Sequence, residues 1–402
     1  MTKKQQNIII LILGALAALG PFAIDMYLPG FPAIAKDLRT DISHVGFSLT
    51  SYFIGISVGQ LIYGPLVDRF GRKKPLLFGL TLFVVAAVGC AFVPTVEWLI
   101  ALRLLLALGG CVGMVASRAV VRDVFAVEDI PKAFSMLMLV MGVAPIIAPT
   151  IGGFVTAHFG WRYIFVVLAS IGLAVLILIV FMLPESRGAD KSISLKPKSV
   201  LGEFMAVLKN PVFLAYAFAV STAQAGMFAY ISGSPFVFME IFGLNETQFG
   251  WAFGMNAFGF IAGSQFNNLM LRKRTSAQIT LSAGSIQFVV GMVLLLGNYF
   301  GYLSAPGSLI LIFSYMFCLG VLGPNASALA LAPFARNAGS ASALMGSAQM
   351  ATGAIASVIV STFHNNTAMP MMGVMAGATV ISLSLLIGFK RYSRRTLSIT
   401  QA

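Results

Sequence analysis

Residues 8–28 read IIILILGALAALGPFAIDMYL, an unbroken apolar run interrupted by one charged side chain, Asp25. A helix needs about 20 mostly apolar residues to cross the roughly 30 Å hydrocarbon core of a bilayer, and this run is long enough. Lys3 and Lys4 precede it, as basic residues precede the core of a signal peptide. The run is too long for a signal peptide, and Pro29 to Pro32 offers no small-residue cleavage site, so a retained first helix is expected.

Working outward, comparable runs follow almost back to back. The remaining predicted spans are 44–66, 75–94, 97–118, 132–157, 161–183, 210–232, 247–269, 277–297, 306–332, 339–363 and 370–389. Of the 402 residues, 58% are hydrophobic and 10% are charged. An ordinary soluble domain is about a quarter charged, and no soluble fold could bury so much apolar side chain. In lipid every backbone polar group must be satisfied within its own segment or in a closed barrel, and continuous rather than alternating apolar runs select helices. The expected fold class is therefore an all-α polytopic membrane protein of about twelve transmembrane helices.

The formal charge of +13 is distributed unevenly along the chain. Lys3, Lys4, Arg69, Arg72, Lys73, Lys74, Arg118, Arg122, Lys132, Arg187, Lys191, Lys196, Lys198, Lys209, Arg272, Lys273, Arg274 and Arg336 fall in the N-terminus or in the loops after even-numbered spans. Lys390, Arg391, Arg394 and Arg395 follow the last span. The opposite loops hold only Lys36, Arg39 and Arg162. Such asymmetry orients a membrane protein with its basic loops inside, so both termini are expected to be cytoplasmic. The basic excess is accounted for by orientation, and no nucleic-acid partner is expected.

A polar connection from Pro184 to Pro211 divides the spans six and six. The expected organisation is an N-terminal six-helix half at 1–183, a cytoplasmic linker at 184–209 and a C-terminal half at 210–402. Asp68, Arg72, Lys73 and Lys74 recur 200 positions later as Asn268, Arg272, Lys273 and Arg274, a weak echo consistent with duplication. Repeated halves with a site near mid-membrane are common in secondary transporters.

Two charged residues lie clearly within spans, Asp25 and Arg103. Each costs about 2.5–3.5 kcal/mol at the centre of an inserted helix, so such residues face a cavity or one another. From helix rise, Asp25 lies roughly 6 Å and Arg103 roughly 9 Å below the outer ends of their helices, which permits a pair or a shared cavity. Asp25 reads either as a proton carrier or as half of a static ion pair.

A pocket for an amphiphilic ligand would combine aromatics with a few polar groups. The candidates are Tyr27, Tyr52, Phe53, Tyr230, Phe236 and Trp251, with Gln224, Asn256, Asn325 and Gln349 as orienting amides. A neutral or weakly charged substrate is expected. Cys90, Cys111 and Cys318 stand singly in apolar runs without metal or disulfide spacing and read as packing residues. His44, His158 and His364 read as interfacial. No nucleotide-binding loop and no hydrolytic set of side chains is visible, so neither an ATP-driven pump nor an enzyme is expected.

The stretch Gly64-Pro-Leu-Val-Asp-Arg-Phe-Gly-Arg-Lys-Lys74, between the second and third spans, resembles the signature loop of the major facilitator superfamily. Three further stretches resemble its drug/proton antiporters, in particular the bicyclomycin and chloramphenicol resistance branch. They are Asp25-Met-Tyr-Leu-Pro29, the run from Arg103 through Gly109-Gly110 to Ser117-Arg118-Ala-Val-Val-Arg-Asp123, and Ala148-Pro149-Thr-Ile-Gly152-Gly153. Ala148 stands where a glycine is usual, and Leu106 replaces a frequent glutamine.

The resemblance implies two pseudo-symmetric six-helix halves and a proton-coupled, multi-pass exporter of drugs and antibiotics in the bacterial inner membrane. Its partners would be a small-molecule substrate, protons and lipid, with no cofactor beyond the proton gradient, and a monomer is expected. Carried over by position, Asp25 is the proton-linked acid and Arg103 tunes it. Gly64, Asp68, Arg69, Gly71 and Arg72, with Asp123, form a cytoplasmic gate, the glycines allowing tight turning and close helix approach. Pro145, Pro149, Gly152 and Gly153 form the antiporter motif of the fifth span, which would kink and pack closely against a neighbour. Export of a metabolite such as an amino acid or nucleoside is the alternative, followed by a non-transporting receptor or scaffold.

Overall fold

The computed structural model describes residues 3–125, 129–190, 197–334, 338–363 and 365–400. Lys191, Lys196, Arg336 and His364 lie outside the described residues. The described elements are helical: α1 Lys3–Asp25, a 3-10 turn Leu28–Gly30, α2 Phe31–Asp37, α3 Ile42–Phe70, α4 Lys73–Ala91, α5 Val96–Val124, α6 Ile130–Phe159 and α7 Arg162–Met182. After them come α8 Pro197–Leu208, α9 Pro211–Ser234, a π-helical turn Pro235–Ile241, α10 Glu246–Met270, α11 Ser276–Tyr299, α12 Ala305–Leu331, α13 Ala338–Thr362 and α14 Met369–Thr400.

Each of the twelve predicted spans coincides with one long helix. Among the described residues, eleven segments are long and apolar enough to cross a membrane by themselves. The exception is α10, a helix of 25 residues whose polar side chains, among them Asn256, Gln265, Asn267 and Asn268, dilute its apolar run. Its start is fixed by reciprocal hydrogen bonds: Gln248 N donates to Asn245 Oδ1 at 2.8 Å and Asn245 N donates to Gln248 Oε1 at 3.1 Å, a box that satisfies two otherwise orphaned donors. The polar connection expected at 184–209 contains a helix, α8. At the end of α9, Pro235 cannot donate to the helix ladder, and the chain continues as a π turn.

Two compact units are present. The first comprises 1–201 with 238–254, and the second 202–237 with 255–402. In the first, α5 packs on α3, α4 and α1, while α6 and α7 pack on α1. The start of α10 also belongs to this unit, where Gly250 backs onto the Pro149 carbonyl. In the second, α9 lies against α12, α13 and α14, and α11 lies against α12 and α14. Its core includes Val220, Ala223, Ile279, Leu319, Leu322 and Leu386. Cys90, Cys111 and Cys318 are free and buried, as expected of packing residues, and His44 and His158 are exposed.

Candidate functional site

Arg103, about two turns into α5 on its α1-facing side, is fully buried. Its guanidinium lies between two aromatic rings, 4.4 Å from the centroid of Tyr27 and 4.4 Å from that of Tyr52. Nη1 donates to the Ala23 carbonyl at 2.6 Å. Nε and Nη2 have no hydrogen-bond partner among the described residues. A desolvated cation between two rings gains about 2 kcal/mol or more from their quadrupoles, which offsets part of the several kcal/mol that burying an ion costs.

Both rings are held in turn. Tyr27 follows α1, where the chain bends into the 3-10 turn and α2, and its ring meets Phe31 at 5.0 Å and Phe165 at 5.4 Å between centroids. Ser48 Oγ donates to the Val45 carbonyl at 2.6 Å, which leaves the Tyr27 hydroxyl to donate to Ser48 Oγ at 3.0 Å. Tyr52 lies one turn further along α3 and is 1% exposed.

Asp25 ends α1 and is 4% exposed. Among the described residues Asp25 forms no ion pair, and the direct contact with Arg103 that similar depth permitted is replaced by the tyrosine clasp. The reason is local geometry: Arg103 reaches the backbone of α1 at Ala23, two residues before the acid, where two rings occupy both faces of the guanidinium. Behind Asp25, Gly152 of α6 abuts the Met26 carbonyl so closely that any side chain there would collide with the α1 backbone. The next residue, Gly153, faces the Glu246 carbonyl of α10, 2.6 Å from where a Cβ would sit. Pro145 and Pro149 lie inside α6, which remains one helix from Ile130 to Phe159.

A second cluster closes the other end of α3. Arg72, in the turn between α3 and α4, is 3% exposed. Nη1 meets Asp68 at 2.6 Å, Nε meets Asp123 at 2.7 Å, and Nη1 also donates to the Val67 carbonyl at 2.9 Å. Burial alone disfavours the Arg72 charge, but the hydrogen bonds to Asp123 and Asp68 outweigh it and hold the guanidinium above its ordinary value. Gly71 makes this turn with φ +84, a region that residues with a Cβ rarely enter.

Two expectations about the signature stretch are corrected here. Asp68 and Arg69 belong to α3, like Gly64 within the predicted span, rather than to a loop, because the helix runs on to Phe70. Gly64 faces open space, so no close helix approach requires it.

Glu185, just beyond α7, was not anticipated. Its carboxylate accepts from Arg72 N at 2.7 Å and from Lys73 N at 3.2 Å, capping the donors at the start of α4. Ser186 Oγ donates to Asp123 at 3.2 Å, and Asp190 N donates to the Arg69 carbonyl at 3.1 Å. The segment after α7 thus ties the Arg72 turn together. At the opposite end of the same helices, Asp37 accepts from Arg162 and, at 3.0 Å, from Trp161 Nε1.

The proposed pocket residues fall into several environments. Tyr27, Tyr52 and Phe53 are buried in the first unit, and Trp251 is 66% exposed. In the second unit, Asn256 Nδ2 donates to the Tyr230 hydroxyl at 3.0 Å, and Asn325 Nδ2 donates to Asn267 Oδ1 at 2.6 Å. These amides clamp one helix to another. Gln224 Oε1 is buried without a partner among the described residues, while Phe236 and Gln349 are half-buried. Among the described residues, no group of three or more His, Cys, Asp or Glu could hold a metal ion.

The profile of the major facilitator superfamily matches residues 13–357. A Bacillus subtilis protein described as an uncharacterized MFS-type transporter is 36% identical, over 97% of each chain. The bicyclomycin resistance protein homolog of Haemophilus influenzae is 35% identical, over 95% of this chain and 96% of that one. Among solved structures, a D-xylose-proton symporter superposes with a TM-score of 0.74 at 16% identity, covering 94% of this chain and 96% of that one, a likeness of fold. The chain therefore belongs to the major facilitator superfamily, in the drug/proton antiporter branch of the bicyclomycin resistance proteins, and is a multi-pass membrane transporter rather than an enzyme.

Proposed function

We propose that the protein is a proton-coupled antiporter that exports small amphiphilic drugs by alternating access, with Asp25 as the proton carrier. The observation that carries this reading is the state of the two buried charges of the first unit. Among the described residues Asp25 has no ion pair to break when it gains or loses a proton, and Arg103 beside α1 keeps two guanidinium nitrogens, Nε and Nη2, without a partner. A merely structural ion pair would join the two directly.

In the proposed cycle Asp25 exchanges a proton on one side of the membrane and releases it on the other, while Arg103 holds the end of α1 through Ala23. The Arg72, Asp68, Asp123 and Glu185 cluster is the latch of one conformation, and its rupture accompanies the change of access. Gln224 Oε1 would accept a hydrogen bond from the substrate in the second unit. An inward proton supplies about 2.3 kcal/mol per 100 mV, enough to sustain a substrate gradient of roughly fifty-fold. The expected setting is the bacterial inner membrane, with both termini cytoplasmic and the protein monomeric.

The test is expression in an efflux-deficient bacterium challenged with a panel of drugs and metabolites, with and without an uncoupler. Drug export that collapses on uncoupling is expected. Export indifferent to the uncoupler removes proton coupling, and export confined to a metabolite removes the drug assignment.

A further inference from the structure

On the surface of the second unit, α9 and α14 leave an apolar groove between them with a volume of about 640 Å³. It is lined by Leu214, Ala215 and Phe218 on one side and by Val380, Ile381 and Gly388 on the other, and its only side-chain hydroxyls are those of Ser384 and Tyr392. Along α14 the lining runs from Val380 to Tyr392, which at ~1.5 Å per residue is roughly 18 Å. That length matches one leaflet of a hydrocarbon core roughly 30 Å thick.

One end of the groove is basic. Lys209 precedes Pro211 on the α9 side, Lys390 and Arg391 lie between Phe389 and Tyr392 on the α14 side, and all three cations are exposed. Aromatic contacts mark the same level: Phe389 meets Tyr216 at 5.4 Å between centroids and Tyr392 at 6.4 Å. Tyrosine collects where an apolar body and a wet hydroxyl are both served, at the boundary between acyl chains and headgroups. Acidic side chains are absent from the lining.

We infer that this groove is a binding site for an anionic glycerophospholipid of the surrounding bilayer, with one acyl chain between α9 and α14 and its phosphate held by Lys209, Lys390 and Arg391. Two features decide for a lipid over a free anion or a transported compound. The groove is one leaflet deep and almost wholly apolar, which suits an acyl chain, and the cations stand only at its end, where a headgroup would lie. Each basic residue near a headgroup strengthens attraction to anionic lipid about five-fold.

The glycine supplies a clean probe. A Cβ built on Gly388 meets nothing within 4 Å, so a side chain there fills the groove without disturbing the fold. The full-length protein is purified in detergent, titrated with phosphatidylglycerol or phosphatidylcholine of identical acyl chains, and the retained lipids are counted by native mass spectrometry. The natural protein should prefer phosphatidylglycerol by at least ten-fold. The double substitution Lys390→Ala, Arg391→Ala should cut that preference to about five-fold or less, the share left to Lys209, and Gly388→Leu should remove one bound lipid of either kind. Equal retention of both lipids by the natural protein overturns the inference. So does a count unchanged by Gly388→Leu in a variant that still elutes as a single species, or one-for-one displacement of the lipid by a transported drug. Should Gly388→Leu not fold, the surface double substitution alone decides.

Discussion

Arg72 and Arg103 are about equally hidden, at 3% and 0% exposure, yet their surroundings differ in kind. Arg72 has two carboxylates and a backbone carbonyl around it, and the Glu185 carboxylate caps its main chain. Arg103 has one carbonyl, two tyrosine faces and two nitrogens without a partner among the described residues, while Asp25 forms no ion pair there. The first arrangement is one in which each charge is compensated, so breaking it costs free energy. In the second, charge is left uncompensated, and a proton or a conformational step can compensate it. The difference separates a latch from a coupling site.

The largest expected effect comes from Arg103→Met. It removes a buried cation without stranding a bonded carboxylate, so thermal stability should be unchanged or raised. Proton-driven export should fall by about 100-fold or more, the scale of losing a positioned proton-transfer group. A fall in melting temperature large enough to account for the lost export would break the comparison. Arg72→Met should behave in the opposite way. Asp123, whose side chain is 15% exposed, would be left without its cation, and a loss of about 3 kcal/mol is expected in denaturant unfolding.

Smaller effects sharpen the same contrast. Gly152→Ala places a methyl against the Met26 carbonyl next to Asp25 and should cost about 1–3 kcal/mol, with a matching drop in export. Gly64→Ala, in open space within α3, should leave both unchanged. The smallest change belongs to Asp68→Asn: at 48% exposure its bond to Arg72 is screened by water and contributes about 0–1 kcal/mol. If Asp68→Asn destabilises more than Asp123→Asn, the latch has been assigned to the wrong carboxylate.

Most of the helical framework was legible because membrane helices write themselves as long apolar runs. Even α10 was readable at 247–269, although its asparagines leave it too polar to cross a membrane by composition alone. The identities of Asp25, Arg103, Arg72 and Asp123 were also visible, as charges in unusual places or in a resemblance. Their partners were not. Glu185 lies 113 positions from Arg72 in the chain, and nothing in a polar connection marks one glutamate as a cap. The ring clasp on Arg103 was hidden for a related reason: Tyr27 and Tyr52 stand out as aromatics, but a cation between two rings leaves no periodic pattern in a sequence. Gly64 misled in the other direction, since a glycine in a turn-like stretch need not turn, and α3 continues through it. At an offset of 200, Arg272 is exposed where Arg72 is buried, so a repeated residue type did not carry a repeated environment.

The central claim rests on Asp25, and the most direct measurement is proton movement by the purified protein in liposomes. With a drug identified in the efflux screen loaded on one side and a pH-sensitive dye on the other, the natural protein should couple a drug gradient to proton flux. Asp25→Asn should bind the drug and exchange drug for drug while moving no protons. Proton flux that persists in Asp25→Asn at the natural rate would contradict the account.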